Sequence, residues 1–295
     1  MENLRGIMLM LASMACFAVA DMLIKQLSGR VPIGEILLFM GAVGTAIYAL
    51  WARRLGQKVI GRDFLSPLMV LRNAGEVIGT FAFISAITLT PLSSASAIFQ
   101  ATPLAVTLGA ALFMGEAVGW RRWSAILVGF GGVLLIIRPG LDGFEPASLF
   151  AVLAVVALSV RDLATRAAPK GISSVRLGTY GFGVLILSGL GLSLFNQEFV
   201  SPDLPDLARM TGATALDAAG YYALILAMRM GEVSVITPFR YVRILFALLI
   251  GVFVFAERPD LPTLLGTAII IASGLYTFAR ERQAARRARQ QGAAV

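Results

Sequence analysis

Ten uninterrupted apolar stretches, each about 17 to 23 residues long, constrain this chain more than any other feature of its sequence. An α-helix rises ~1.5 Å per residue, so about 20 residues cross a hydrocarbon core ~30 Å thick. Each stretch therefore matches one bilayer crossing. The spans are predicted at 6–27, 33–51, 68–89, 92–114, 121–138, 148–168, 174–195, 209–228, 233–255 and 262–279. Membrane strands would alternate polar and apolar residues, whereas these are continuous runs of Leu, Ala, Gly, Ile and Val. That excludes a β-barrel and leaves an all-α integral membrane fold of ten transmembrane helices.

Most prolines fall between the runs or at their ends, where a missing backbone donor costs least. Pro103 and Pro238 are the interior exceptions, so the fourth and ninth spans are expected to kink. Ala18-Val19-Ala20 resembles a signal-peptidase site, but the first run continues past it to Leu23 and Ile24.

A shift of 141 residues lays Asp21 on Asp162, Lys25 on Arg166, Glu76 on Asp217, Gly79 on Gly220 and Glu116 on Glu257. Leucine on leucine is a cheap coincidence in so apolar a chain, but acid on acid, three times at one offset among so few acids, is not. The chain is read as a duplication. Residues 1–140 form the first five-helix repeat, 146–280 the second, and 281–295 a basic tail. Five is odd, so the second copy enters the membrane from the opposite side. These are inverted repeats, a symmetry shared by many secondary transporters.

Basic residues set the orientation. With the N-terminus inside, 15 lie on the cytoplasmic side: Arg5; Arg53, Arg54, Lys58 and Arg62; Arg121 and Arg122; Arg166 and Lys170; Arg229; and five tail arginines. Five lie outside, namely Lys25, Arg30, Arg138, Arg209 and Arg258. The expectation is N-in and C-in, in a bacterial plasma (inner) membrane. The net charge of +8 resides in loops and tail, where a membrane protein places it, and is not read as a nucleic-acid surface.

Charges within a bilayer are costly unless they face a bundle interior or a wet cavity, so each is a functional candidate. Arg72, Asn73 and Glu76 share one face of the third span. They either meet a solute's carboxylate and amine or close into an internal ion pair. Asp217, the counterpart of Glu76, has no base within a turn; Arg240 and Arg243, with Tyr241 between them, are its candidate partners on the ninth span. Gln100 adds a polar group on the fourth, and Tyr222 is one of several aromatics near these positions. The candidate substrate-binding set is Arg72, Asn73, Glu76, Gln100, Asp217, Tyr222, Arg240 and Tyr241. Asp21 with Lys25 and Asp162 with Arg166 are i, i+4 pairs near opposite membrane faces, read either as interfacial anchors or as gates.

Glu116 and Glu257 follow the fourth and ninth spans in the stretches Met114-Gly115-Glu116 and Phe255-Ala256-Glu257, and the first is followed by the Gly-rich fifth span (Gly129 to Gly132). Two five-helix halves closed in this way resemble the drug/metabolite transporter superfamily, specifically its EamA-type ten-helix members, over the chain to Arg280. Ala256-Glu257 departs from the Gly-Glu pattern. The resemblance implies a central cavity lined by the first, third, fourth, sixth, eighth and ninth spans, with the fifth and tenth peripheral. It also implies carriage of amino acids or related metabolites, with the amino-acid exporter branch preferred.

A secondary carrier working by alternating access, exporting or taking up its solute, competes with an intramembrane enzyme and a non-transporting scaffold. His is absent and no HExxH, CxxC, GxxxxGK[ST] or GxSxG pattern occurs, which weighs against hydrolytic, redox and ATPase chemistry. A scaffold has no use for paired intramembrane acids. No cofactor or metal is expected. The expected partners are a small-molecule substrate and membrane lipid, with proton coupling as an option and either a monomer or a homodimer as the working unit.

Overall fold

The computed structural model describes residues 2–115, 119–141, 143–168, 172–195, 200–230 and 236–292. Among them there is no strand; the first three spans are Glu2–Lys25, Ile33–Arg54 and Pro67–Leu89. The fourth is broken into Leu92–Phe99 and Thr102–Phe113, and the fifth, sixth, seventh and eighth are Trp120–Ile137, Ser148–Ala167, Ser174–Phe195 and Leu204–Met230. In the ninth, a 3₁₀ turn over Thr237–Tyr241 leads into Val242–Phe255, and the tenth runs over Leu261–Gly292. Nine of these are apolar and long enough to cross a membrane. The eighth, 27 residues long, has the length as well but also carries Asp206, Arg209 and Asp217. The all-helical, ten-span reading is correct.

The fourth span is broken just before Pro103, the ninth carries a 3₁₀ turn at Pro238, and the fourth shows why. Pro103 has no N–H to offer the Phe99 carbonyl one turn back, and its ring crowds that oxygen. The Thr102 hydroxyl donates to Phe99 O at 2.6 Å instead. Two helix ends depart from the expected limits by five residues or more. The eighth helix starts five residues early, because Asp203 caps it by accepting from Asp206 N at 2.8 Å. The tenth continues into the basic tail as far as Gly292, through Ala, Arg and Gln residues of high helix propensity. Asp260 caps the start of that helix. Burial alone would raise its carboxyl, but hydrogen bonds from Thr263 and Arg138 outweigh it and hold the group below the usual carboxylate range.

Packing follows the repeat. The third span lies along the sixth and the eighth along the first, and these two pairs are equivalents. The second pairs with the seventh and the fifth with the tenth, which are self-related pairs. The register holds to the residue: Gly79 faces Leu158 and Gly220 faces Phe17, each residue standing 141 positions from its equivalent. A Cβ on Gly79 would come within 2.5 Å of the Leu158 side chain, so the close approach requires glycine.

Candidate functional site

Eight charged side chains converge inside the bundle, four acids and four arginines: Asp21, Glu76, Asp162 and Asp217 with Arg72, Arg161, Arg240 and Arg243. They come from the first, third, sixth, eighth and ninth spans, and Gln100 joins them from the fourth.

On one side stands a closed chain of ion pairs. Arg72 Nη2 lies 2.7 Å from Glu76 Oε2, and Arg72 Nη1 donates to Asn73 Oδ1 at 3.0 Å. Glu76 Oε1 is held from the sixth span by Arg161 Nη1 at 3.1 Å, and Arg161 also meets Asp162 at 2.8 Å. The internal Arg72–Glu76 pair therefore forms, extended by an arginine for which the repeat predicts no counterpart. Gly181 on the seventh span backs directly onto Arg72 and Glu76.

The other side is built around Arg243, whose Nη2 donates to Asp21 Oδ2 at 2.7 Å. Its guanidinium lies 5.2 Å from the ring centres of Phe17, Phe83 and Phe99, a cation–π cage that fixes its position. Asp21 does not pair with Lys25. Lys25 instead donates to the Ile87 and Thr90 carbonyls at 3.0 and 2.5 Å and lies 3.6 Å from Glu257. An i, i+4 spacing only makes a pair available, and here better-placed partners on other helices win. Asp162 meets Arg161, its chain neighbour.

Asp217 and Arg240 remain. Both are partly exposed, and neither forms an ion pair or a side-chain hydrogen bond among the described residues. Asp217 lies within electrostatic reach of Asp21 and Arg243, and Arg240 within reach of Asp162, Arg161 and Arg243. The Asp217–Arg240 structural pair considered from sequence is absent. Gln100 Nε2 donates to the Arg240 carbonyl at 3.2 Å, tying the breaks in the fourth and ninth spans together.

Of the two tyrosines of the expected set, Tyr222 lies elsewhere and Tyr241 stays within electrostatic reach of Arg240. Tyr222 is 40% exposed and packs edge-on against Trp51, while the Tyr241 hydroxyl abuts Gly274 on the tenth span. Tyr221, one residue earlier, is the tyrosine near Arg72, Glu76 and Arg161. One residue is about 100° of helix, so a choice between adjacent tyrosines needs the helix rotation. Arg161 and Arg243 were visible in sequence as intramembrane arginines, but nothing there revealed their partners.

At the membrane face opposite the termini, Glu257 accepts from Leu92 N, Ser93 N and Ser93 Oγ at 2.5, 3.0 and 2.7 Å. It caps the fourth span from the loop after the ninth, and Lys25 joins it to the end of the third. A cavity of about 320 Å³ lies beside this lock, lined in part by Thr90, Arg138, Glu145 and Asp260. The counterpart of Glu257, Glu116, lies outside the described residues, as does the start of the ninth span.

Ten helices in two inverted halves, with charge gathered at the junction of the halves, define a membrane transporter. The EamA-like transporter family model matches residues 4–138 and again 146–279. The chain belongs to that family. It is 23% identical over 283 residues to an S-adenosylmethionine uptake transporter of Rickettsia felis, covering 95% of each chain. It is 29% identical to a riboflavin transporter of Rhizobium johnstonii, over 71% of this chain and 69% of the relative. A pseudopaline exporter of Pseudomonas aeruginosa is 24% identical, over 91% and 94%. A solved crystal structure shares the fold at a TM-score of 0.64 and 18% identity, covering 94% of this chain and 98% of the other. The relatives are transporters and not enzymes.

Proposed function

We propose that this protein is a secondary carrier of small zwitterionic metabolites, amino acids or molecules bearing an amino-acid head group, and that it works by alternating access. One observation carries the reading. Of the eight charges described at the centre of the bundle, six are closed into ion pairs, and the two left over among the described residues have opposite sign. Arg240 offers a planar fork that matches a carboxylate, and Asp217 offers an acceptor for an ammonium group. Gln100, bonded to the Arg240 carbonyl, and Arg72, Asn73 and Glu76 are assigned as further polar contacts of the solute. S-adenosylmethionine, the solute named for one relative, carries an amino-acid head of this kind, whereas riboflavin does not.

The basic-residue asymmetry supports both termini being cytoplasmic in a bacterial inner membrane, and the two family matches support repeats bounded near 1–140 and 146–280. Export is the direction proposed. Uptake is the second reading, favoured by the Rickettsia relative.

The test is counterflow in proteoliposomes with amino acids, S-adenosylmethionine and riboflavin. Zwitterions should exchange, and Arg240→Ala should slow that exchange about thirtyfold or more, since truncating one partner of a desolvated charge pair costs at least ~2 kcal/mol. Exchange of riboflavin alone, untouched by Arg240→Ala, would reject the reading.

A further inference from the structure

The two equivalent helix pairs differ where the repeat would make them alike. Between the third and sixth spans, the acids Glu76 and Asp162 stand with Arg72 and Arg161. Shifted by 141 residues, the acids have the equivalents Asp217 and Asp21, but the arginine positions hold Ala213 and Ala20. Two guanidiniums are replaced by one, Arg243 from the ninth span. It is engaged with Asp21 at 2.7 Å and caged there by Phe17, Phe83 and Phe99. The second acidic pair thus keeps one negative charge that no side chain among the described residues offsets.

Among the described residues, the groups facing Asp217 supply no second cation. The first span presents Asp21 and the Cys16 thiol, the second the Tyr48 hydroxyl, and the ninth Arg243. The Tyr48 hydroxyl is itself occupied, donating to the Ala218 carbonyl at 3.2 Å. A carboxylate without a counter-ion in such surroundings is neutralised by a proton or by a cationic ligand. Glu76 is different: it lies between two arginines and is already offset.

We infer that Asp217 is a proton-binding site, and that the proton and the substrate's ammonium group occupy it in turn. This rests on the zwitterion reading. Substrate arriving on one side displaces one proton from the Asp217 carboxyl to that side, and on the other side its departure leaves a carboxylate that takes one proton up. The cycle exchanges one proton for one substrate, and an inward proton gradient then drives export.

Carbodiimides react with protonated carboxyls, so the site can be read without knowing the solute. The purified full-length protein is treated with dicyclohexylcarbodiimide across a pH series, and the modified residue is mapped by peptide mass spectrometry. Modification is expected at Asp217 and not at Glu76, falling roughly tenfold per pH unit once the carboxyl ionises. Asp217→Glu should retain it and Asp217→Asn lose it. An unmodified Asp217 in folded protein at every pH, or equal modification of Glu76, overturns the proton site. Amino acids or S-adenosylmethionine should protect Asp217. Modification without protection, in protein that exchanges none of these solutes, keeps the proton site and rejects both the alternation with ammonium and the zwitterion reading.

Discussion

Arg161 and Arg240 are both arginines inside the bundle, yet their removal should have opposite consequences. Arg161 bridges Glu76 and Asp162 at 3.1 and 2.8 Å, so Arg161→Ala strips both acids of a buried partner. Breaking such a pair typically costs about 3 to 5 kcal/mol. Arg240 holds no acid in place, so Arg240→Ala should leave the thermal midpoint near that of the parent while abolishing counterflow. Midpoints and counterflow rates from the same preparations decide; equal destabilisation by both variants would place Arg240 among the structural pairs. Sequence identified all four interior acids as candidates, because a carboxylate in an apolar run is conspicuous. It offered Arg72 for Glu76, which the structure bears out, but it misassigned the partner of Asp21. Asp21 has Lys25 one turn away, but its actual partner, Arg243, is 222 positions along the chain.

Helices were legible to the extent that local chemistry made them. Pro103 announced the break in the fourth span, since a missing N–H acts within one turn. Contacts between helices were less visible. Gly132 and Gly266 meet across the fifth and tenth spans, and a Cβ on either would come within 2.8 and 2.6 Å of the other's carbonyl oxygen. The run Gly129-Phe130-Gly131-Gly132 does not reveal which glycine makes that contact. A Cβ added at Gly131 would meet nothing within 4 Å, so that position serves as the control. Gly132→Leu and Gly266→Leu should each destabilise by about 1 to 3 kcal/mol, the usual cost of overpacking. Gly131→Leu should have little effect. Similar losses at all three positions in thermal unfolding would show that helix propensity, not the interface, governs this region.

At the scale of the whole molecule, Lys25 and Glu257 join the ends of the third, fourth and ninth spans at the face opposite the termini. If that junction closes one mouth of the pathway, Lys25→Ala should raise labelling of interior cysteines from that face. Arg166→Ala, its equivalent by the repeat, should raise labelling from the face that carries the termini. Single cysteines at Lys58 and Arg282 give the absolute sides, since both should react only from the cytoplasm. Identical responses to the two substitutions would leave Lys25 and Arg166 as anchors. The sequence by itself determined the number of crossings, the inverted duplication and the family, because hydrophobic length and a constant offset are properties of the linear chain. It could not determine the pairing of charges. An i, i+4 neighbour is only one competitor among several, and which acid meets which arginine depends on helix rotation and on arginines brought in from other spans. The tertiary structure alone showed that, of the four acids at the centre of the bundle, three are matched by arginines, while Asp217 and Arg240 form no ion pair among the described residues.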